Sequence, residues 1–101
     1  MISPGKQQEL ITTKLATVGD SIETIETAEY SLTYYGFLTL GNTNDTITLT
    51  INGIPGIEIS MLGMVEIPIK KITLTSVTDA GMNSVTKGIL AFGVKRYKTI
   101  F

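Results

Sequence analysis

From about Thr27 onward, apolar and polar residues alternate with a period of two, the pattern of strands that bury one face. Ala28, Tyr30, Leu32 and Tyr34 fall on one side of the first run, and Thr27, Glu29, Ser31 and Thr33 on the other. The cleanest run covers residues 46–52, where Ile47, Leu49 and Ile51 alternate with Thr46, Thr48 and Thr50. Ile57, Ile59 and Met61 alternate with Glu58 and Ser60, and Val65, Ile67 and Ile69 with Glu66, Pro68 and Lys70. At Lys70-Lys71 the phase slips by one residue, after which Ile72 and Leu74 alternate with Thr73 and Thr75. Such a slip marks a bulge or a bend between sheets. In the last run Leu90, Phe92 and Val94 alternate with Ile89, Ala91 and Gly93. The expected core is therefore Ile47, Leu49, Ile51, Ile57, Ile59, Ile67, Ile69, Ile72, Leu74, Leu90 and Phe92.

Turn signals separate the runs: residues 41–45 (Gly-Asn-Thr-Asn-Asp), Asn52-Gly53, Pro55-Gly56, Gly63, residues 79–81 and Lys87-Gly88. Short Ile- and Thr-rich strands punctuated in this way predict an all-β fold, a single antiparallel β-sandwich that is jelly-roll-like or a small barrel. Pro68 places its strand at an edge or beside a bulge, because proline cannot donate to a ladder. The first quarter has another rhythm. Ile11, Leu15, Val18, Ile22 and Ile25 are spaced 4, 3, 4 and 3, the apolar seam of a short coiled coil, and the residue types at its core positions favour three or more helices. Threonines and Gly19 oppose a helix here; an extended docking arm, or two early strands meeting at Gly19-Asp20, fits the same residues. The expectation is thus two parts: residues 1–26 as an N-terminal arm or short helix for attachment or oligomerisation, and residues 27–101 as the β-sandwich.

Composition sharpens this picture. The 101 residues carry 8 Lys and Arg against 9 Asp and Glu, a formal net charge of −1, without the basic excess expected of a nucleic-acid or anionic-membrane binder. Charged residues make up 17%, against about 25% in typical soluble domains. Apolar residues make up 43%, and mean hydropathy is +0.27. A small domain has much surface for its volume, so an apolar excess implies surface buried against other chains. No run is apolar enough to span a membrane, the uncharged residues 30–44 being broken by Ser31, Thr33, Gly36, Thr39 and Gly41. No apolar leader segment follows Met1, so no signal peptide is expected.

Candidate chemistry is sparse. His, Cys and Trp are absent, which removes thiolate and imidazole catalysis and the usual zinc sites. Glu23, Glu26, Glu29, Glu58 and Glu66 fall on predicted solvent faces, without the cleft that a paired-carboxylate mechanism needs. Residues 41–45 could offer oxygen ligands to calcium, but they lack the acidic ladder of a dedicated loop and suit a turn better. Asn44-Asp45-Thr46 matches a glycosylation sequon that, without a secretory signal, has no support. No cofactor, metal site or catalytic residue is expected. Tyr34, Tyr35 and Phe37 form a possible ligand platform for sugars, although Tyr34 and Tyr35 point to opposite faces. Lys95-Arg96-Tyr97-Lys98 is a basic cluster that could touch a phosphate or an acidic partner, or guard a strand edge.

The layout of three stretches carries a resemblance. Residues 45–60 (Asp-Thr-Ile-Thr-Leu-Thr-Ile-Asn-Gly-Ile-Pro-Gly-Ile-Glu-Ile-Ser), 65–76 (Val-Glu-Ile-Pro-Ile-Lys-Lys-Ile-Thr-Leu-Thr-Ser) and 88–95 (Gly-Ile-Leu-Ala-Phe-Gly-Val-Lys) resemble small accessory structural proteins of tailed bacteriophage particles. These include capsid decoration, head-fibre and neck proteins. The resemblance implies a non-catalytic virion component, made in the host cytoplasm, that assembles as a homo-oligomer (a trimer favoured) with other virion structural proteins. From charge and hydropathy, no nucleic-acid or membrane partner is expected. A carbohydrate-binding or adhesin module is the alternative.

Overall fold

The computed structural model describes residues 7–41, 45–60, 63–78 and 87–98. Nine strands account for most of them: β1 (Gln8–Leu15), β2 (Ser21–Glu23), β3 (Ile25–Glu26), β4 (Tyr30–Leu40), β5 (Thr46–Ile51), β6 (Ile54–Ser60), β7 (Met64–Ile69), β8 (Lys71–Thr78) and β9 (Gly88–Tyr97). They form two antiparallel sheets. Sheet A has the order β1-β9-β4, with β3 and β7 both pairing with β4, and sheet B has the order β2-β8-β5-β6. The core lies between them, built from Leu15, Leu32, Tyr34, Phe37, Ile47, Leu49, Ile51, Ile69, Ile72, Leu74, Ile89 and Ala91.

The first quarter of the chain corrects the helical expectation. Residues 8–15 are a strand paired along their whole length with β9, from Gln8 opposite Arg96 to Leu15 opposite Ile89. Ile22 pairs with Ile72 in sheet B, and Ile25 with Leu32 in sheet A. The five residues spaced like a coiled-coil seam are therefore split. Leu15 is buried, Ile11 and Ile22 pack on the core from opposite sheets, and Val18 and Ile25 are exposed. The physical reason is local. Threonine at positions 12, 13, 17 and 24 favours strand over helix, and Asp20 stabilises a turn by accepting from the amides of Ala16 (3.1 Å) and Thr17 (2.9 Å). Strands from both sides of residue 26 share the same two sheets.

The slip at Lys70-Lys71 is a bend between sheets. β7 ends at Ile69 in sheet A, and β8 begins at Lys71 in sheet B. Two other segments fasten this corner. Thr24, where the chain crosses from β2 to β3, donates its amide to Lys70 O (2.8 Å) and its hydroxyl to Ile69 O (2.7 Å). Asn52, at the β5–β6 turn, accepts from the amides of Lys70 (2.6 Å) and Lys71 (3.1 Å) and donates to Pro68 O (3.0 Å). Asn52 and Gly53 both have positive φ (51° and 85°), the backbone of a two-residue hairpin turn that Asn-Gly adopts with least strain.

The last strand departs from expectation in phase. Ile89 and Ala91 are fully buried, while Leu90, Phe92 and Val94 are part-exposed on the opposite face. Both phases of this run are apolar, so size decides. Phe37 pairs with Ala91 and Tyr34 with Gly93. A Cβ at Gly93 would come 3.0 Å from the Tyr34 ring. Small residues of β9 thus make room for the large aromatics of β4, and the large residues of β9 turn outward. Leu90 and Phe92 leave the expected core; the other nine expected residues are buried or pack against it.

Candidate functional site

The register of sheet A places an extended apolar field on its outer face. Cross-strand partners in an antiparallel pair share a face, so the face reads in rows across β1, β9, β4 and β7. Lys14, Leu90, Leu38 and Met64 form one row, and Thr12, Phe92, Gly36 and Glu66 the next. Leu10, Val94 and Thr33 form a third, and Gln8, Arg96 and Ser31 a fourth that continues to Glu26 on β3. Leu10 is 83% exposed, Met64 63% and Tyr35 44%. With Leu90, Phe92, Val94 and Leu38 they make a continuous apolar surface, with Lys14 and Arg96 at its ends and Glu66 on the β7 side.

The centre of this face is hollow. At Tyr34/Gly36 the register of β4 shifts against both β7 and β9; Tyr35 is exposed there, and Gly36 brings no side chain to the face. None would fit there, because a Cβ would collide with the carbonyl of Val65. The resulting depression, about 400 Å³, is lined by Tyr35, Gly36, Met64, Val65, Glu66 and Phe92. Its lining is apolar apart from the Glu66 carboxylate and the Tyr35 hydroxyl.

The outer face of sheet B is its chemical opposite. Thr48 pairs with Glu58 and Ser76, Thr50 with Thr73, Thr46 with Ser60, and Glu23 with Lys71. Hydroxyl-bearing and charged side chains occupy these positions, and Ile54, 61% exposed, stands at the start of β6 beside the β5–β6 turn.

At one end of sheet A a polar cluster ties its strands together. The Lys95 ammonium sits 4.3 Å from the Tyr30 ring centre and 5.1 Å from that of Tyr97, within cation–π range. The Tyr97 hydroxyl donates to Glu9 Oε1 at 2.5 Å. That bond to a carboxylate is the main reason the phenol is held above the ordinary tyrosine range. Lys98 pairs with Glu26 at 2.5 Å and donates to Thr27 O at 2.6 Å. The basic cluster is thus largely engaged within the chain: Lys95, Tyr97 and Lys98 join elements, and Arg96 stands exposed.

The three aromatic residues of the expected platform are not brought together. Tyr34 (4% exposed) and Phe37 (0%) are core residues, and Tyr35 alone of the three reaches the surface. Residues 42–44, part of the stretch weighed as a calcium loop or sequon and read as a turn, lie outside the described residues. Among the described residues no three acidic side chains gather as metal ligands. Sequence reasoning missed the outer face of sheet A itself; its signal was the run Ile89-Leu90-Ala91-Phe92, apolar in both phases. Compared with family models, curated proteins and solved structures, the chain matches none of them.

Proposed function

We propose that the chain is a non-catalytic structural subunit of a virion, of the decoration, head-fibre or neck type, that assembles with other protein through the outer face of sheet A. The observation that carries this reading is the contrast between the two outer faces, one covered by threonine and charge, the other by Leu10, Leu38, Leu90, Phe92, Val94, Tyr35 and Met64. A monomer that kept both faces in water would expose an apolar field of a size that usually marks an interface.

The strand order supports a jelly roll as the architecture. β1-β9-β4-β7 faces β2-β8-β5-β6, and the chain changes sheet at every connection except β3–β4 and β5–β6. Two interleaved Greek keys give this arrangement, and viral capsid proteins use it; so do lectins. The carbohydrate-binding alternative rests on that shared architecture and on exposed Tyr35 beside the hollow. The lining offers few polar groups to orient a sugar, the Glu66 carboxylate and the Tyr35 hydroxyl. Fold analogy alone does not assign function, so the face carries the argument.

An antibody against the chain, applied to density-gradient fractions of phage particles from the source that encodes it, tests the reading. The chain is expected to co-band with intact particles. A chain confined to the soluble fractions would contradict a virion role.

A further inference from the structure

The outer face of sheet A is self-complementary, and we infer that its occupant is the same face of a second copy, related by a two-fold axis that lies between the faces and runs along the strands. This rests on the reading of that face as an assembly surface and goes further by naming the partner and the geometry. Such an axis keeps each row level and exchanges the columns, so that β9 meets β4 of the other copy and β1 meets its β7 edge. Leu90 then lies over Leu38, Val94 over Thr33, and Phe92 over the hollow at Gly36 that Tyr35 and Met64 rim. Leu90, Phe92 and Val94 of one copy thus each face a small residue or an apolar one on the other.

Charge selects this axis over its alternative. Lys14 stands on β1 in the row of Met64, one row from Glu66 on β7. Column exchange brings Lys14 of each copy beside Glu66 of the other. Arg96 comes opposite Ser31 and beside Glu26. Facing sheets pack about 10 Å apart, a gap that a lysine and a glutamate reaching from opposite sides can span. A two-fold axis across the strands would instead reverse the rows, set Arg96 over Leu90 and bury that charge without a partner, which is costly. Within the chain Lys14 and Glu66 lie on strands separated by β9 and β4 and make no ion pair with each other, so each is available to the second copy.

Size and net charge agree. Four strands about 4.8 Å apart and eight residues long, at about 3.3 Å each, give a footprint of about 500 Å² per copy. Pairing therefore covers about 1,000 Å² in total, the lower bound for a specific interface. A net charge of −1 per chain adds little repulsion. Part of the case for a trimer was a helical seam, and strands occupy those residues; an isologous pair needs only the face already described.

Sedimentation equilibrium of the full chain and of charge-reversal variants tests the inference. The native chain is expected at twice its monomer mass at tens of micromolar. Lys14→Glu and Glu66→Lys should each weaken the dimer at least tenfold in Kd, because each sets like charges together twice. The combined variant should recover to within about threefold of the native chain, since reversal of both partners restores the pair. Both residues are exposed, so the far-ultraviolet circular dichroism of all three variants should match the native chain. A monomeric or trimeric native mass would overturn the pairing, as would single variants that dimerise normally or a combined variant no better than the singles. A monomeric mass overturns self-pairing while co-banding with particles still stands, so failure of the pair is distinguishable from failure of the assembly role.

Discussion

Tyr97 shows how a single residue ties the strands of sheet A together. Its hydroxyl donates to Glu9, which stands in the first strand, while Tyr97 stands in the last, so one bond joins the two ends of the described chain. Ionising the phenol would place a second negative charge against that carboxylate, and this raises its pKa in the folded state. An unfolded chain, with an ordinary tyrosine pKa near about 10, gives up the proton earlier. Above that pH the unfolded state therefore binds fewer protons than the folded one, and stability falls as pH rises. The contribution is fully present below the unfolded value and is lost as pH climbs through the folded one. Urea midpoints measured from neutral to strongly alkaline pH should fall less steeply for Tyr97→Phe than for the native chain. Equal alkaline slopes would show that the Glu9 bond does not hold the proton.

At the scale of elements, legibility in the sequence followed the contrast between the two faces of each strand. β5 was fully legible because Ile47, Leu49 and Ile51 alternate with threonines, and all three are buried. The β7–β8 corner was legible from the slip of phase at Lys70. β9 was not, because both of its phases are apolar and the choice between them was made by the volumes of Tyr34 and Phe37, two aromatics on a neighbouring strand more than fifty residues earlier in the chain. β1 was ambiguous for a related reason: a spacing of four and three fits a helix, yet Ile11 and Leu15 also share one face of a strand, and pairing with β9 decides. Within the sandwich Leu15 is 1% exposed and Leu10 83%. Leu15→Asp should unfold the sandwich or cost at least as much as the about 2–5 kcal/mol of a buried Leu→Ala change. Leu10→Asp should leave the thermal midpoint of the monomeric chain almost unchanged. A folded, fully stable Leu15→Asp protein would return residues 8–15 to the status of a detachable arm.

On the scale of the whole molecule, the sandwich is two-sided in chemistry as well as in architecture. Threonines on β5 and β8 give sheet B a hydrated outer surface that resists further stacking, while sheet A presents the large side chains that β9 could not place inside. The apolar excess noted in the composition thus has an address, the outer face of sheet A, which the proposed function sets aside for assembly. The candidate site was legible as an excess but not as a location, since only the register of four strands assembles it. The most direct measurement is oxidation of the Met64 sulfur, followed by mass spectrometry of the peptide that contains it, in dilute chain and in its assembled form. Met64 is 63% exposed in the single chain and lies at the rim of the hollow. If the outer face of sheet A is the assembly surface, Met64 should oxidise freely when dilute and at least tenfold more slowly when assembled. Equal rates in an assembly of confirmed mass would place the interface elsewhere and contradict the account.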